Sequence, residues 1–418
     1  MPYVPRTLAA TLRRAMRTFP AVLVTGPRQT GKTTLLREEF GASHRYVSLE
    51  RPDVRDIARE DPVGFLADAG ERVILDEIQY STELLHYIKD DIDARRQPGR
   101  WLLTGSQDFA LMRGVSQTLA GRIAVLHLDP LSVAEVLGWP VAGGLGDLLE
   151  SLCTEPGGEA PDFDLADWLY RGAWPEPRLN ADVDRDLWMQ SYVQTYLERD
   201  LRNMEQVSDL ETFRAFFSLV CASTAQVLNL ARLGRDAGVS APTARRWLNL
   251  LVTSRLVVLL QPYYRNFGKR IRKSPKLHVI DPGLASWTLG YRTRDAIMNG
   301  PALGALTESA VVAELMKAGH HAGSAPGLFH WQSASTEVDV VAEVNGRLYG
   351  IEVKATRTPS PRHADNLARW CDLTGARGIL ACRTDRSRPL GRGIRAVPWH
   401  FCVGEEPLQR QPGPPANP

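Results

Sequence analysis

A short polar segment, residues 26–34, carries residue types that can bind phosphate groups. Its sequence is Gly-Pro-Arg-Gln-Thr-Gly-Lys-Thr-Thr, and it lies between the apolar run 21–24 and the pair Leu35-Leu36. It is therefore predicted to join a buried strand to the first turn of a helix. Gly26 and Gly31 let the backbone N–H groups turn inward, where they and the positive end of the helix can hold the β- and γ-phosphates of a nucleotide.

Two side chains of this segment have more specific predicted roles. Lys32 would place a positive charge beside the phosphates, and the Thr33 hydroxyl would be a ligand of Mg²⁺. The predicted cofactors are therefore ATP and Mg²⁺. The predicted nucleotide-binding residues are Gly26, Pro27, Arg28, Gln29, Thr30, Gly31, Lys32, Thr33 and Thr34.

A second apolar run ends in two acids. Residues 72–77 read Arg-Val-Ile-Leu-Asp-Glu, and successive side chains of a strand point to opposite sides, so the two acids can take separate tasks. Asp76 would hold Mg²⁺ through water, and Glu77 would orient and polarise the attacking water. These two residues and Lys32 form the predicted catalytic set.

A third apolar run, 101–104, is followed by Gly105-Ser106-Gln107. If its strand lies between the first two, a polar side chain from this end would lie beside the γ-phosphate. Gln107 is assigned to the catalytic set on this argument, with Ser106 as the alternative sensor of the γ-phosphate.

The first 137 residues alternate helical and strand patterns. Predicted strands at 45–49 and 123–128 complete a set of five with the three runs above, and helical spacing fills the intervals between them. Such alternation predicts an α/β fold with a parallel sheet and helices on both faces. Its active site would lie at the carboxyl ends of the strands, where the three polar clusters occur.

Four of these motifs together resemble a bacterial and archaeal family of AAA-type P-loop ATPases whose members continue into a C-terminal region of unknown function. The motifs are residues 26–34, Leu-Asp-Glu-Ile-Gln at 75–79, Leu-Thr-Gly-Ser-Gln at 103–107, and Leu-Ala-Gly-Arg at 119–122 followed by Leu-Asp-Pro-Leu-Ser at 128–132. The resemblance covers nearly the whole chain. It implies ATP hydrolysis in an oligomer and leaves open what work the hydrolysis drives.

Arg122 stands directly before an apolar strand. It could face a nucleotide held by this subunit or by a neighbour, and an arginine finger can contribute about 10³ to 10⁵ in rate. The alternative is a surface arginine that pairs with an acid, and Arg113 is a second finger candidate. A finger supplied in trans predicts a homo-oligomer, with a hexameric ring as the suggested form.

A different pattern follows the first domain. Residues 138–165 are rich in Gly, Pro and acids and are predicted to be a linker or insertion. Residues 166–290 are predicted to form a helical and winged-helix domain, because Gly238 at a turn, Ser240 as N-cap and Pro242 early in the next helix describe a helix-turn-helix.

The strand and loop after this helix are basic. Between Arg255 and Lys276 the sequence has no acid, and aromatic residues alternate with the cations. This composition suits contact with a phosphate backbone and stacking on bases, although winged helices also dock on proteins. The predicted DNA contacts are Arg245, Arg246, Lys269, Arg270, Arg272 and Lys273.

A second set of acids lies in residues 291–408. Glu308 falls on a predicted helix, Asp339 on a strand, and Glu352 and Lys354 on its hairpin partner, two residues apart and so on one side. The arrangement resembles the restriction-endonuclease-like superfamily, where such acids hold Mg²⁺ and the lysine positions water. A third domain of this fold is therefore predicted, either as an active nuclease or as a member that has lost cleavage.

Composition places few limits on function. The 418 residues carry a net charge of +2, which gives no global argument for nucleic acid, and five cysteines without metal-like spacing. This favours reduced thiols. The chain shows no secretory leader pattern and no apolar run of roughly 18 residues that could cross a bilayer, so a cytoplasmic protein is expected. Residues 409–418 are Pro-rich and expected to be disordered.

The function expected from these features is Mg²⁺-dependent ATP hydrolysis coupled to DNA binding, remodelling or translocation, on duplex, broken or branched DNA. Two alternatives remain open. One is an ATP-gated endonuclease. The other is an ATP-dependent regulatory switch in which the nuclease-like domain is a non-catalytic scaffold.

Overall fold

The computed structural model describes residues 3–106, 114–115, 117–139, 143–154, 158–197, 210–264, 274–333 and 336–403. Within these ranges the chain builds a five-stranded sheet from its first third and a nine-stranded sheet from the remainder. Gln107, the second finger candidate Arg113, and the basic residues Lys269, Arg270, Arg272 and Lys273 lie outside the described residues.

The first sheet is parallel throughout and has the order β2-β3-β4-β1-β5. β4 therefore lies between β1 and β3, which is the condition that the argument about a γ-phosphate sensor required. The strands are β1 (Ala21–Gly26), β2 (Arg45–Ser48), β3 (Val73–Asp76), β4 (Trp101–Ser106) and β5 (Ile123–His127).

Helices cover both faces of this sheet. Leu23 and Leu103 belong to the core on one face, whereas Val22 and Leu102 belong to the core on the other, as the alternation of a doubly covered strand requires. The predicted α/β fold is confirmed. The helices are α1 (Leu8–Met16), α2 (Lys32–Phe40), α3 (Pro52–Glu60), α4 (Pro62–Ala69) and α5 (Leu84–Ala94), with a 3₁₀ turn at Ile78–Ser81.

Most of the helices in the rest of the chain precede the strands of the final third. They are α6 (Val133–Leu137), α7 (Leu145–Thr154), α8 (Leu165–Arg171), α9 (Pro175–Leu179), α10 (Arg185–Tyr192), α11 (Leu210–Ala222), α12 (Leu230–Asp236), α13 (Ala241–Thr253), α14 (Pro282–Thr288), α15 (Arg294–Met298), α16 (Leu303–His321) and α17 (Asp365–Thr374). A π-helical turn, Val193–Leu197, follows α10, and a 3₁₀ turn, Pro361–Ala364, precedes α17.

Residues 138–165 do not behave as a free linker. They contain α7, whose Leu145, Leu149 and Leu152 are buried in the core that runs from α6 to the last strand. The Gly and Pro content of the segment suggested a linker, but leucines at positions i, i+4 and i+7 give α7 one apolar face, and burying that face fixes the segment in place.

The second sheet joins the middle of the chain to its final third. Its order is β13-β14-β12-β11-β10-β9-β7-β8-β6, and β7 pairs in parallel with β9 through Gln261 and Phe329. The strands on the two sides of residue 290, where a domain boundary was predicted, thus share one sheet. The strands are β6 (Gln226–Val227), β7 (Val257–Pro262), β8 (Lys276–Val279), β9 (Leu328–Gln332), β10 (Glu337–Val344), β11 (Arg347–Lys354), β12 (Arg377–Cys382), β13 (Arg388–Gly391) and β14 (Ile394–Pro398).

Local turn chemistry positions two parts of this region. Between α12 and α13, Gly238 has φ of 71° and the Ser240 hydroxyl accepts from Thr243 N at 3.3 Å, so the turn and the N-cap occur at the predicted residues. Asn345 and Gly346 both have positive φ and close the predicted hairpin between β10 and β11.

Candidate nucleotide site and acid cluster

The loop between β1 and α2 leaves no room for a side chain at its first glycine. Gly26 has φ of 151°, and a Cβ there would lie 2.2 Å from the carbonyl oxygen of Leu128. Gly31, at φ of 89°, forms the N-cap of α2 and has no side chain with which to cap the first turn. The free N–H groups of this turn are therefore available to an anion.

Lys32 is folded over this loop. Its Nζ donates to the carbonyl oxygens of Gly26 at 3.1 Å and Pro27 at 2.8 Å, and the residue is 6% exposed. Burial lowers the pKa of Lys32 to about 8, with a smaller opposing contribution from the charge of Glu77. Neutral carbonyls thus accept the hydrogen bonds of this ammonium, as suits a group that pairs with phosphate.

Asp76 is the centre of the hydrogen bonds next to the loop. Thr33 donates to its two carboxylate oxygens at 2.9 and 3.1 Å, Tyr46 donates at 2.7 Å, and the Thr104 hydroxyl also donates to it. The predicted pair of Thr33 and Asp76 is therefore brought together from α2 and β3. A hydroxyl and a carboxylate at this distance are the oxygen donors that Mg²⁺ prefers, so the site fits a magnesium ion.

Two participants at Asp76 were missed by the sequence analysis. Tyr46 lies on β2 and Thr104 on β4, the strands on either side of β3. Burial, followed by the hydrogen bond to Asp76, raises the pKa of Tyr46 to about 12, so this side chain remains a donor. Thr104 belongs to the motif at 103–107, and a predicted strand order would have been enough to find it.

Glu77 lies just beyond the end of β3 with φ of 59°. Its backbone N–H donates to Thr104 Oγ1 at 3.1 Å, and its carboxylate accepts from the Gln79 amide. The left-handed conformation turns the chain, so Glu77 does not continue the strand beside Asp76. Gln79, another residue that the sequence analysis did not assign, orients the carboxylate predicted to activate water.

Arg122 lies at the end of the sheet where the strands begin, whereas the phosphate loop lies at the end where they finish. It directly precedes β5, whose first residue is in register with Ala21 at the start of β1, so about 17 Å of strand separates it from the loop. Its guanidinium pairs with Asp93 at 2.5 and 3.0 Å. A contact with the nucleotide of its own subunit, one of the two predicted possibilities, is therefore excluded by strand direction.

Buried polar contacts connect the phosphate loop with α6 and α16. Arg6 donates to the carbonyl oxygens of Thr30 and Asp129, each at 2.7 Å, and pairs with Glu135 at 3.2 Å. Burial raises the pKa of Glu135, but the charges of Arg6 and His321 together with backbone hydrogen bonds from Ser132 and Thr7 outweigh it and lower that pKa to about 2. His321 lies at the end of α16, 3.7 Å from the same carboxylate.

A second connection runs from the end of β5 to α13. His320 Nδ1 lies 2.6 Å from an Asp129 carboxylate oxygen, and the Arg255 guanidinium lies 3.2 Å from His320 Nε2. Arg255, directly after α13, has φ of 55°. A cavity of about 550 Å³ opens beside these three residues.

The structure also brings together the four predicted nuclease-like residues. The Asp339 carboxylate accepts from Val353 N at 2.9 Å, and Lys354 Nζ donates to Glu352 at 2.6 Å. Glu308 interacts electrostatically with both Asp339 and Lys354.

An additional cation lies in this acid cluster. Lys276 Nζ is 2.6 Å from Glu308, 2.9 Å from Glu337 and 3.4 Å from Asp339. Among the described residues, no three His, Cys, Asp or Glu side chains are placed to hold a metal ion. The predicted Mg²⁺ therefore does not fit this cluster as it stands, because a lysine occupies the space between the acids.

The basic strip is divided between surface and interior. Arg245 and Arg246 are exposed on α13. Lys276, at the end of the strip, is only 2% exposed and contacts the acid cluster, and Arg255, at its start, contacts His320. Lys276 is therefore turned into the interior by its contact with the acids, whereas Arg255 is half-buried beside His320.

The sequence also predicted reduced cysteines and no segment that crosses a membrane. Cys153 is half-buried, the other four cysteines are buried, and all five are free thiols. None of the helices in the described ranges is long and apolar enough to span a membrane.

Comparison with known families divides the chain into three parts. Residues 18–137 match the family described as "AAA domain". Residues 162–295 and 303–402 match two families described as domains of unknown function, DUF8612 and DUF4143.

Individual proteins resemble the chain over most of its length. Uncharacterized protein Rv2008c of Mycobacterium tuberculosis and Mb2031c of Mycobacterium bovis are each 33% identical over 94% of this chain and 83% of theirs. Among solved structures, the Walker-type ATPase PABY2304 of Pyrococcus abyssi shares 14% identity over 67% of this chain and 94% of that chain, with a TM-score of 0.43. Thermotoga maritima RuvB shares 16% over 69% and 92%, with a TM-score of 0.27. The chain therefore belongs to the same family as the two mycobacterial proteins, and its first domain is an AAA-type P-loop ATPase domain.

Proposed function

We propose that the chain hydrolyses ATP in a Mg²⁺-dependent reaction and transmits its nucleotide state to the C-terminal region. The observation that carries the proposal is the meeting of Thr33 and Asp76 within 3.1 Å beside the buried ammonium of Lys32. All three lie at the carboxyl ends of β1 and β3, where ligands of parallel sheets bind. A bound magnesium ion would neutralise phosphate charge and orient the phosphates.

The side chains have separate proposed tasks. The inward N–H groups of residues 26–34 and the Lys32 ammonium bind the β- and γ-phosphates. Thr33 and Asp76 bind the metal ion, and Tyr46 holds the Asp76 carboxylate in place. Glu77, oriented by Gln79, accepts the proton of the attacking water. Gln107, which follows β4 in the sequence, keeps its proposed role as a sensor of the γ-phosphate.

Replacing Glu77 by Gln tests this assignment, because the amide keeps the shape of the side chain and cannot accept the proton. We expect Glu77→Gln to bind ATP with nearly unchanged affinity and to turn it over at least about 10²-fold more slowly. Glu71→Gln is the matched control, since Glu71 is exposed just before the other end of β3. Turnover by Glu77→Gln equal to that of the Glu71 control would remove Glu77 from its role.

DNA is the partner we propose for the C-terminal region. In support, α13 follows α12 after the short turn at Gly238 and carries exposed Arg245 and Arg246, and an acid-free basic segment follows it in the sequence. The contacts from Arg6 through Glu135 to His321 and from Asp129 through His320 to Arg255 connect this region with the phosphate loop. The test is the ATPase rate with and without single-stranded, duplex and four-way DNA, and a rate unaffected by all three would argue against DNA.

A regulatory switch with a nuclease-like scaffold is the second candidate. The observation that favours it over an ATP-gated endonuclease is the position of Lys276, which fills the acid cluster where a cleaving enzyme would hold metal ions. The DNA-coupled ATPase and the regulatory switch would use the same ATPase domain. Both would also use an oligomer in which Arg122 reaches the nucleotide of a neighbouring subunit.

A further inference from the structure

The acid cluster of the second sheet surrounds a lysine nitrogen from a different part of the chain. Oxygens of Glu308, Glu337 and Asp339 lie within 3.4 Å of Lys276 Nζ. The acids come from α16 and β10, whereas Lys276 is the first residue of β8 and pairs with Leu260 of β7. Carboxylate oxygens are the donors that a hard cation takes, but here three carboxylates surround a buried ammonium nitrogen.

The charges explain why the cluster needs a cation. Four carboxylates, those just named and Glu352, face two ammonium groups, Lys276 and Lys354, so the cluster has an excess of two acids. Burial and then the charge of Asp339 raise the pKa of Glu308 well above its usual value and that of Glu352 to about 7. Removing one ammonium would leave buried carboxylates without a counter-charge, which is strongly destabilising.

The buried atoms at the cluster that have no hydrogen-bond partner in the described part of the chain include Glu352 Oε2 and His278 Nε2. Glu352 is 8% exposed and His278 is fully buried. His278 Nε2 lies 3.8 Å from Glu308 Oε1. Lys276, which donates to Glu337 and Asp339 and forms an ion pair with Glu308, leaves both atoms unused, whereas a cation that takes six ligands could use them.

We propose that Lys276 is the resident cation of this cluster, and that the cluster binds a divalent metal ion only when the Lys276 ammonium is absent from it. The pairing of β8 with β7 holds the ammonium between the acids. In this arrangement the nuclease-like part of the chain is a metal-free scaffold. Its acids, on α16 and β10, stabilise the packing of these elements against β8. The proposal does not depend on ATP hydrolysis.

The test uses the full chain without nucleotide. Wild-type protein and Lys276→Met are compared by thermal unfolding with and without Mn²⁺, and bound Mn²⁺ is counted by electron paramagnetic resonance. We expect the wild type to bind no Mn²⁺ at the acid cluster. The amount of bound Mn²⁺ should therefore be the same in the wild type and in Asp339→Asn. Lys276→Met should have a Tm lower by several degrees, bind Mn²⁺ and recover most of the lost Tm with it, because a ligand that binds only the folded form raises its stability.

The controls separate loss of a cation from loss of packing. Lys317→Met removes another lysine that is 2% exposed and pairs with an acid, Glu314, at 2.7 Å, so it should lose stability without recovery by Mn²⁺. Adding Asp339→Asn to Lys276→Met should abolish the Mn²⁺ effect, which excludes binding at Asp76. If Lys276→Met does not fold, Lys276→Gln replaces it.

Two results would overturn the proposal. The first is Mn²⁺ bound to the wild type and lost in Asp339→Asn, which would show that metal binds beside Lys276. The second is a folded Lys276 variant whose Tm and bound Mn²⁺ do not differ from those of the wild type.

Discussion

At the scale of single residues, the site is explained by what surrounds each charge. Lys32 is buried among carbonyls, and Asp76 accepts hydrogen bonds from Thr33, Tyr46 and Thr104. Burial lowers the pKa of the lysine, whereas the carboxylate is surrounded by hydroxyl donors. These different environments support the proposed binding of phosphates by Lys32 and of the metal ion by Asp76.

The pKa of Lys32 makes nucleotide affinity depend on pH. Because burial lowers this pKa to about 8 in the empty protein, phosphate binding above pH 8 must be accompanied by proton uptake. Affinity for ADP should then fall by up to about tenfold per pH unit above pH 8 and level off below it. Fluorescence titration with a labelled ADP between pH 7 and pH 9.5 measures this slope.

Lys32→Arg is the control, because a guanidinium does not titrate in this range. Its affinity should be lower than that of the parent and independent of pH. The free energy of unfolding of the empty protein should change with pH in the direction opposite to nucleotide affinity. Since the folded pKa is below the unfolded one, the empty protein should gain stability as the pH rises from about 8 towards the unfolded value. An affinity of the parent that is equal at pH 7 and pH 9 would contradict the role of the Lys32 charge.

At the scale of elements, the direction of β5 decides what Arg122 can do. A residue before a strand that runs parallel to β1 lies at the edge away from the phosphate loop, so Arg122 is available only to another subunit. Its pairing with Asp93 agrees with a structural role as well. The two roles differ in what the loss of Asp93 should do.

If Arg122 is a finger in trans, Arg122→Ala should lower kcat by at least about 10³-fold, whereas Asp93→Ala should leave kcat within a few-fold of the parent. A purely structural pair would give similar effects in both variants. A second experiment mixes Lys32→Ala and Arg122→Ala subunits. The first variant keeps the finger and the second keeps the nucleotide site. The mixture should therefore regain ATPase activity that neither variant has alone. A mixture without activity would argue against catalysis between subunits.

The elements that could be predicted from the sequence are those with a local signal. The loop 26–34, the hairpin turn at Asn345-Gly346 and the cap Ser240 each carry their conformation in adjacent residues. The strand order of the first sheet could be given only by the structure. The same holds for the finding that Arg122 does not contact the nucleotide of its own subunit, which depends on the direction of β5. A linker or insertion was predicted at 138–165 because its content of Gly, Pro and acids was weighed above the leucine spacing of α7.

The residues that were missed act over long sequence distances. Lys276 reaches Glu308 and Asp339, Tyr46 reaches Asp76, and Arg6 reaches Asp129, across gaps that no short motif spans. Lys276 was predicted as part of a basic surface strip because its neighbours in sequence are basic. Its actual partners are acids on other elements, and burial with those acids determines its position.

At the scale of the whole molecule, two series of contacts among those that join the ATPase domain to the rest of the chain begin near the phosphate loop. Arg6 holds Thr30 in the phosphate loop and pairs with Glu135, which lies beside His321 of α16. Asp129 at the end of β5 pairs with His320 of α16. Arg255 extends the second connection to the end of α13, the helix with the proposed DNA contacts. A change in the loop on nucleotide binding can therefore reach α13 through buried contacts with few alternative arrangements.

Replacing both Arg245 and Arg246 by Glu tests whether α13 is a DNA-binding surface. We expect the double variant to lose DNA affinity by at least about tenfold, and the remaining binding to depend less steeply on salt, because two phosphate contacts are gone. Arg95→Glu with Arg96→Glu is the matched control, since these are also adjacent and exposed, in the ATPase domain. Fluorescence anisotropy at several salt concentrations measures both quantities. Equal affinity of the two double variants would remove α13 from the DNA surface.

Coupling is tested separately by His320→Gln, which keeps a hydrogen-bond donor but removes the contact geometry between Asp129 and Arg255. If the buried connection transmits DNA binding, this variant should bind DNA and hydrolyse ATP alone at rates near those of the parent, and DNA should no longer change its ATPase rate. The Arg245 and Arg246 double variant should lose the same stimulation together with DNA binding. A His320→Gln protein whose ATPase still responds fully to DNA would show that the two regions communicate by another route, because the only step removed is the one between β5 and α13.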